Sequence, residues 1–171
     1  PYPDTRKPII FYGSSITQGA CASRPGMAAT NLIGRKLNVE TINLGFSGNA
    51  FIDYEVAEMM AHVDASAYVL DYVPNASPGQ ILEKTEKFVR ILREKHPDVP
   101  LIFVEDPIFP HSKFDLRMAK EIKDKNDAMN QAFSSLKKQG LKKIYLVKGR
   151  SLISANGEST VDGIHFTDCG F

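Results

Sequence analysis

The chain has 171 residues, a length typical of one domain, and its hydrophobic content of 43% is enough to form a core. The net charge of +1 indicates neither a nucleic-acid partner nor an anionic membrane surface. No run of about 18 apolar residues predicts a membrane span, and no signal peptide is visible. Because the chain begins with Pro1 rather than Met, the compartment stays open, with the periplasm and secretion among the options.

Five short apolar runs, each bounded by Gly, Pro or Asn, predict β-strands. Amphipathic stretches between them predict three helices: one over residues 27–37, one that Ser77 caps, and one over about 116–139 that Gly140 ends. Strands that alternate with helices favour an α/β fold in which helices cover both faces of a parallel sheet. The predicted strands span residues 8–12, 39–44, 67–73, 101–105 and 143–147.

The loop after the first predicted strand carries a candidate nucleophile. In an open parallel sheet, ligands bind beyond the carboxyl ends of the strands, so the strand-to-helix loops are the place to look. A tight turn at Gly13 would present the hydroxyl of Ser15 at this edge, next to the free N–H groups of a following helix. Taken alone, this loop is better explained as an ordinary Gly-Ser turn.

Two further loops carry candidate hydrogen-bond donors. Gly48 follows the second strand, and a glycine lets a backbone N–H approach a substrate closely. Asn75 follows the third strand, and its side-chain amide is a neutral donor suited to an oxyanion. Taken alone, each residue is better explained as part of a turn.

Near the carboxyl end, Asp162 and His165 are three residues apart. At this spacing the carboxylate can reach the imidazole, hold its Nδ1–H tautomer and leave Nε2 free to accept a proton. A surface pair or two ligands of a metal site are alternatives that the motif alone leaves open.

Taken together and in this order, the four segments resemble the SGNH (GDSL-type) hydrolases, and the resemblance covers residues 8–171. Gly-Ser-Ser-Ile matches the family's Gly-Asp-Ser-Leu block, and Ser-Gly-Asn matches its second block. Pro-Asn matches the third block, Gly-x-Asn-Asp, and Asp-x-x-His matches the last. The resemblance implies that Ser15 is the nucleophile, His165 its general base and Asp162 the residue that orients the base. It implies an oxyanion hole formed by Ser15, Gly48 and Asn75.

The resemblance also implies a three-layer α/β/α sandwich around a flavodoxin-like, parallel five-stranded sheet. The chain departs from the family at three positions: Ser14 stands where an aspartate is usual, and Pro74 and Ala76 replace the glycine and aspartate around the asparagine. The string Gly-Ser-Ser-Ile-Thr-Gln-Gly-Ala resembles a branch with a preceding β-sandwich domain, which includes bacterial carbohydrate esterases. We therefore expect residues 1–7 to be a linker or remnant and residues 8–171 to be the hydrolase domain, shortened at its carboxyl end.

The expected function is that of a serine esterase that removes short acyl groups, such as acetyl, from a carbohydrate by acyl transfer without a cofactor. The expected partner is a small-molecule or carbohydrate ester, and the oligomeric state stays open. Arg24, after the nucleophile loop, and His111, in the irregular segment 105–114, are candidate substrate contacts.

Three alternatives remain. A lysophospholipase or thioesterase would use the same fold for longer acyl groups, and a carbohydrate-binding pseudo-enzyme would keep the fold without catalysis. A nucleotide-binding module is disfavoured because the phosphate-binding glycine motifs are absent.

The two cysteines, Cys21 and Cys169, do not make a disulfide framework, and neither belongs to a C-x-x-C pair, so no metal site is predicted. We expect small thiols that are buried or half-buried. A bridge between them is the alternative, because each lies a few residues from a candidate catalytic residue.

Overall fold

The structure is a computed structural model that describes residues 6–154 and 157–171, so most of the predicted linker, residues 1–5, lies outside the described residues. Its strands are β1 (Ile9–Gly13), β2 (Thr41–Gly45), β3 (Ala67–Asp71), β4 (Leu101–Val104) and β5 (Ile144–Val147). Its α-helices are α1 (Ser15–Gln18), α2 (Ala29–Leu37), α3 (Tyr54–Met60), α4 (Pro78–Lys95) and α5 (Leu116–Lys138). Short 3₁₀ turns lie at Pro25–Met27, Pro110–Lys113 and Gly149–Ser151.

The five strands form one parallel sheet in the order β2-β1-β3-β4-β5. This is the doubly wound order of the flavodoxin-like folds, and it confirms the predicted fold class. The order reverses at β1, whose last residue, Gly13, pairs with Gly45 on one side and Asp71 on the other. Ligand sites are expected at such a switch point, so the carboxyl end of β1 is the place to look.

The ends of the two long helices follow from local sequence. Ser77 caps α4 in a capping box with Gln80: the serine hydroxyl accepts from the Gln80 N–H and the Gln80 side chain accepts from the Ser77 N–H. Gly140 follows α5 in the left-handed conformation (φ +85°), and the Leu141 N–H donates to the Leu136 carbonyl. These bonds form a Schellman motif, so the predicted stop at Gly140 is confirmed.

Several predicted boundaries shift, and one helix was missed. The third strand ends at Asp71 rather than at residue 73, because the Tyr72 carbonyl accepts from the N–H groups of Asn75 and Ala76 and starts a turn. The helix predicted from residue 27 begins at Ala29, after a 3₁₀ turn. The seven-residue helix α3 was not predicted, since it is too short to show a clear apolar period.

The main core lies between one face of the sheet and the helices α3, α4 and α5. Tyr12 of β1 stacks on Phe88 of α4 with ring centroids 5.4 Å apart. The opposite face carries α2 and an apolar cleft of about 380 Å³, which Phe11, Val69 and Ile102 help to line. No helix in the described ranges is both long and apolar enough to cross a membrane.

Two carboxyl groups are enclosed at the carboxyl ends of β3 and β4. Burial raises the pKa of Asp71 to about 7. The hydrogen bond that Asp71 Oδ2 accepts from Thr17 Oγ1 at 2.6 Å has the opposite effect and lowers the pKa. Burial also raises the pKa of Asp106 to about 7, although the charge of Lys125 opposes this. Asp106 is 4% exposed, and its Oδ1 has no hydrogen-bond partner among residues 6–154 and 157–171. Each of these carboxyl groups is therefore about half protonated near neutral pH, whereas an ordinary carboxyl is ionised there.

We expect the melting temperature to fall as the pH rises from about 4 to about 7. The pKa of a carboxyl is higher in the folded state than its value of about 4 in the unfolded state, so the folded state binds more protons in this window. The contribution of each carboxyl to the free energy of unfolding is fully present below about pH 4. It decreases by about 1.4 kcal/mol per pH unit and is lost as the pH rises through about 7. Substituting Asp106→Asn should flatten the fall measured by calorimetry. The exposed Asp98→Asn is the control, and equal slopes in all three proteins would contradict the assignment.

Candidate active site

The serine is positioned by the tight junction between β1 and α1. A Cβ atom on Gly13 would lie 2.1 Å from Thr17 Oγ1 and 2.7 Å from the Asp71 carbonyl oxygen, so only glycine fits at the turn. Ser14 is the N-cap of α1, and its Oγ accepts from the Ile16 N–H at 3.2 Å. Ser15 is the first residue of α1, where backbone N–H groups have no acceptor within the helix.

The aspartate and the histidine share one turn near the carboxyl end. Asp162 Oδ1 accepts from the N–H groups of Ile164 (2.9 Å) and His165 (2.7 Å), and Asp162 Oδ2 lies 2.6 Å from His165 Nδ1. Gly163 between them is left-handed at φ +90°. The hydrogen bond from the imidazole, followed by those from the backbone, holds the pKa of Asp162 well below its usual range. The carboxylate is therefore ionised at neutral pH, which favours the Nδ1–H tautomer of His165.

The fold brings this turn to the serine. Ser15 Oγ lies 2.9 Å from His165 Nε2, although the two residues are 150 positions apart in the chain. Since His165 Nδ1 faces a carboxylate, Nε2 is left to accept a hydrogen bond from the hydroxyl. Ser15, His165 and Asp162 thus form one continuous chain of hydrogen bonds.

Apolar packing holds the two segments together. Ile16, next to Ser15, and Phe166, next to His165, belong to one buried cluster with Phe109 and Ile122. Polar contacts reinforce it, because the N–H and the hydroxyl of Ser23 donate to the two carboxylate oxygens of Asp168 at 2.9 and 2.6 Å.

Gly48 lies in the turn after β2, with a φ of +68° and open space where a Cβ would be. Its N–H donates to no residue in the part of the chain that the structure describes. The start of this turn is fixed beside the serine, since the Phe46 N–H donates to the Gly13 carbonyl at 2.8 Å. A Cβ on Gly45 would lie 2.3 Å from the Gln18 nitrogen, so the end of β2 packs directly on α1.

Asn75 lies in the turn after β3 and is tied to the same region. Its Oδ1 accepts from the Ala50 N–H at 3.2 Å, which orients the amide, and its side-chain NH₂ donates to none of the described residues. Lys125 Nζ donates to the Pro74 carbonyl at 3.0 Å and fixes the turn from α5. The loops that carry Gly48 and Asn75 are therefore joined to each other.

The two candidate substrate contacts differ in their surroundings. Arg24 is exposed and donates to Ser23 Oγ at 3.1 Å, beside the Asp168 contact. His111 is half-buried, and its ring packs on Gly163, where an added Cβ would lie 2.8 Å from Cε1. His111 thus contacts the turn that holds the imidazole. Sequence reasoning missed this contact, because nothing local links the two segments.

The two cysteines are free and exposed, so the expectation of buried or half-buried thiols was wrong, and no bridge joins them. Cys21 lies in a surface loop two residues after Gly19, the left-handed residue that ends α1. The loop lies at the surface because it continues past the end of this short helix.

Known proteins resemble this chain in family and fold. No curated protein sequence matches the chain. A crystal structure of a Bacteroides ovatus protein assigned as a GDSL-like lipase is 42% identical with a TM-score of 0.92, over 96% of this chain and 49% of that one. The chain therefore spans about half the length of that relative.

Two other solved structures are more distant. Salicylyl-acyltransferase SsfX3 from a tetracycline biosynthetic pathway is 18% identical with a TM-score of 0.79, over 98% of this chain and 51% of that one. A family two carbohydrate esterase from Clostridium thermocellum, in complex with cellohexaose, is 15% identical with a TM-score of 0.70. That match covers 99% of this chain and 61% of the esterase. At these identities the likeness shows the fold alone.

The model of a known protein family matches residues 6–171, which takes in both the serine loop and the histidine turn. Because the match covers nearly the whole chain, the protein belongs to the GDSL-like lipase/acylhydrolase family.

Proposed function

We propose that the protein is a serine esterase that hydrolyses a carboxylic ester by acyl transfer, with Ser15 as nucleophile. The observation that carries the proposal is the hydrogen-bonded chain from Ser15 Oγ through His165 to Asp162, with separations of 2.9 and 2.6 Å. A hydroxyl is a weak nucleophile until a neighbouring base takes its proton, and the imidazole is within reach of that proton.

In the first step, Ser15 Oγ attacks the ester carbonyl carbon while His165 Nε2 takes the hydroxyl proton. The ionised Asp162 stabilises the imidazolium that forms, because its carboxylate accepts the Nδ1–H hydrogen bond. The imidazolium then gives its proton to the leaving alcohol, and the C–O bond of the ester breaks. This leaves an acyl group on the serine oxygen.

We assign the oxyanion hole to the backbone N–H groups of Ser15 and Gly48 and to the side-chain NH₂ of Asn75. Three features support this assignment: an N–H at the start of α1, an N–H in the open turn after β2, and an amide oriented by Ala50. Neutral donors of this kind stabilise the charge that develops on the carbonyl oxygen. Water then attacks the acyl-enzyme, and His165 acts as base and acid in the same order.

We propose an acetylated or similarly short-acylated carbohydrate as the substrate. The resemblance to carbohydrate esterases supports it, and one protein of the same fold, at 15% identity, holds cellohexaose. His111 and Arg24 would then border the substrate. The wider branch assignment, with a β-sandwich domain before residue 8, is part of this proposal and is supported by the Gly-Ser-Ser-Ile-Thr-Gln-Gly-Ala string.

A second candidate is the hydrolysis of esters with longer acyl chains, as in a lysophospholipase or thioesterase. The apolar cleft of about 380 Å³ favours it, because Ile16 and Phe166 line this cleft and adjoin Ser15 and His165. A carbohydrate-binding pseudo-enzyme is the outcome expected if the serine proves unreactive.

We expect Ser15→Ala to abolish the hydrolysis of p-nitrophenyl acetate and the labelling of the protein by a fluorophosphonate. Both need the same activated hydroxyl, but labelling requires only an attack and no particular substrate. Ser134→Ala, on the exposed surface of α5, is the matched control and should keep both properties. Full turnover in Ser15→Ala would remove Ser15 from the mechanism.

We expect Asp162→Asn to lower kcat by a large factor, up to about 10⁴-fold, because an amide does not stabilise the imidazolium and favours the wrong tautomer. The measurement is the steady-state rate with p-nitrophenyl acetate, with Asp124→Asn on α5 as the control. A loss smaller than about tenfold would show that the carboxylate does not orient the base.

Acyl-chain length separates the two candidate substrates. We expect kcat/KM for p-nitrophenyl esters to be highest for acetate and to fall as the chain grows, and we expect acetate release from acetylated polysaccharides. A maximum at eight carbons or more would instead favour the second candidate, and Ile16→Ala should then lower the rate for the long chains more than that for acetate.

A further inference from the structure

Three potential metal ligands meet at the histidine turn. The Sγ of Cys21, a carboxylate oxygen of Asp162 and a ring nitrogen of His165 all lie within 4.8 Å of one another. We propose that these side chains form an inhibitory site for a thiophilic divalent cation such as Zn²⁺. The inhibitory half of the proposal rests on the proposed function, whereas binding does not.

The ligand set is the kind that Zn²⁺ prefers. Thiolate sulfur, imidazole nitrogen and carboxylate oxygen bind this ion at about 2.0–2.3 Å in a tetrahedron, so neighbouring ligand atoms lie about 3.3–3.8 Å apart. Separations of up to 4.8 Å therefore have to shorten by about 1 Å. Cys21 is exposed, so its side chain is free to rotate, whereas Asp162 has to lengthen its 2.6 Å contact with His165 Nδ1 for both atoms to bind one ion. Three protein ligands leave the fourth position to water.

The cysteine is held at this place from both sides. The N–H groups of Gly19 and Ala20 donate to the Ser15 carbonyl at 3.1 and 3.0 Å, which anchors the loop to α1. Two residues after the cysteine, Ser23 donates twice to Asp168, which anchors the loop to the segment after His165. The short span between these anchors keeps the thiol beside the imidazole.

Metal binding and catalysis compete for one imidazole. Both nitrogens of His165 have partners, since Nδ1 lies 2.6 Å from Asp162 and Nε2 lies 2.9 Å from Ser15. A cation takes the lone pair of one nitrogen and so displaces one of these hydrogen bonds. If it binds Nε2, the serine loses its base. If it binds Nδ1, the ring proton moves to Nε2, which then cannot accept the serine proton, and the carboxylate binds the cation instead of the ring N–H. Either geometry stops the proposed reaction.

The sequence left open that Asp162 and His165 are metal ligands, but it did not indicate Cys21 as a third, because the proposed ligands come from two ends of the chain. Metal motifs such as C-x-x-C place the ligands within one turn, whereas Cys21 and the Asp162–His165 pair meet only after folding. The expectation that the chain has no metal site rested on that missing local motif.

Binding is tested first, by a titration of the chelator-treated protein with Cd²⁺ that follows the ultraviolet charge-transfer absorbance of a cadmium–thiolate bond. We expect one site, with an affinity that falls at least tenfold in Cys21→Ser, His165→Ala and Asp162→Asn, since even the loss of a residue that only supports a ligand costs 10- to 100-fold. Cys169→Ser, the other exposed cysteine, is the matched control and should bind like the wild type.

Inhibition is tested second, by the effect of Zn²⁺ on p-nitrophenyl acetate hydrolysis, with each variant normalised to its own rate without metal. We expect the Zn²⁺ concentration for half inhibition to rise at least tenfold in Cys21→Ser and to stay unchanged in Cys169→Ser, with recovery of the rate on addition of EDTA.

The outcomes separate the two proposals. Ser15→Ala should keep Cd²⁺ binding. If the wild-type protein binds the ion through all three residues but hydrolyses no ester, the metal site stands and the proposed function is wrong. An absorbance band that persists in both His165→Ala and Asp162→Asn would show binding to the thiol alone and would overturn the site. Equal inhibition of Cys21→Ser and the wild type would overturn it as well.

Discussion

The proposed chemistry depends on the contact between the loop that carries Ser15 and a turn that lies 150 residues later. That contact is mainly apolar. Ile16 and Phe166, adjacent to Ser15 and His165, are 7% exposed and share one cluster with Phe109 and Ile122. Burial of each such side chain stabilises the fold by about 1.5–3 kcal/mol, whereas one exposed hydrogen bond adds far less. The cluster fixes the distance between Ser15 and His165, and the hydrogen bonds fix the orientation.

The junction around the nucleophile shows why the departure at residue 14 is tolerated. Ser14 caps α1 through its side-chain oxygen, and serine and aspartate are similarly good N-caps. The position that tolerates no substitution is Gly13, because its backbone lies against Thr17 and the end of β3. The half-buried Asp71 accepts a hydrogen bond from the Thr17 hydroxyl at 2.6 Å, and this bond anchors α1 to the end of β3.

Much of this arrangement could be predicted from the sequence, and the rest has identifiable physical reasons for being hidden. Strand alternation and the caps at Ser77 and Gly140 are local signals, so the parallel sheet and the long helices were predicted correctly. The roles in the site came from a resemblance and stay predictions, although Ser15, His165 and Asp162 lie in contact. The packing of a histidine ring on Gly163 and the exposure of the thiols depend on tertiary structure, which no local pattern encodes.

A general base and a metal ligand both need an imidazole whose orientation and tautomer are fixed. The neighbouring carboxylate of Asp162 fixes the orientation and the tautomer of the His165 ring, which serves proton transfer and ligation equally. What decides between the two is the third group within reach of the ring. Ser15 is 7% exposed, whereas Cys21 is exposed. The proposed reaction therefore uses a largely buried hydroxyl, whereas the proposed cation site uses a thiol that solvent reaches.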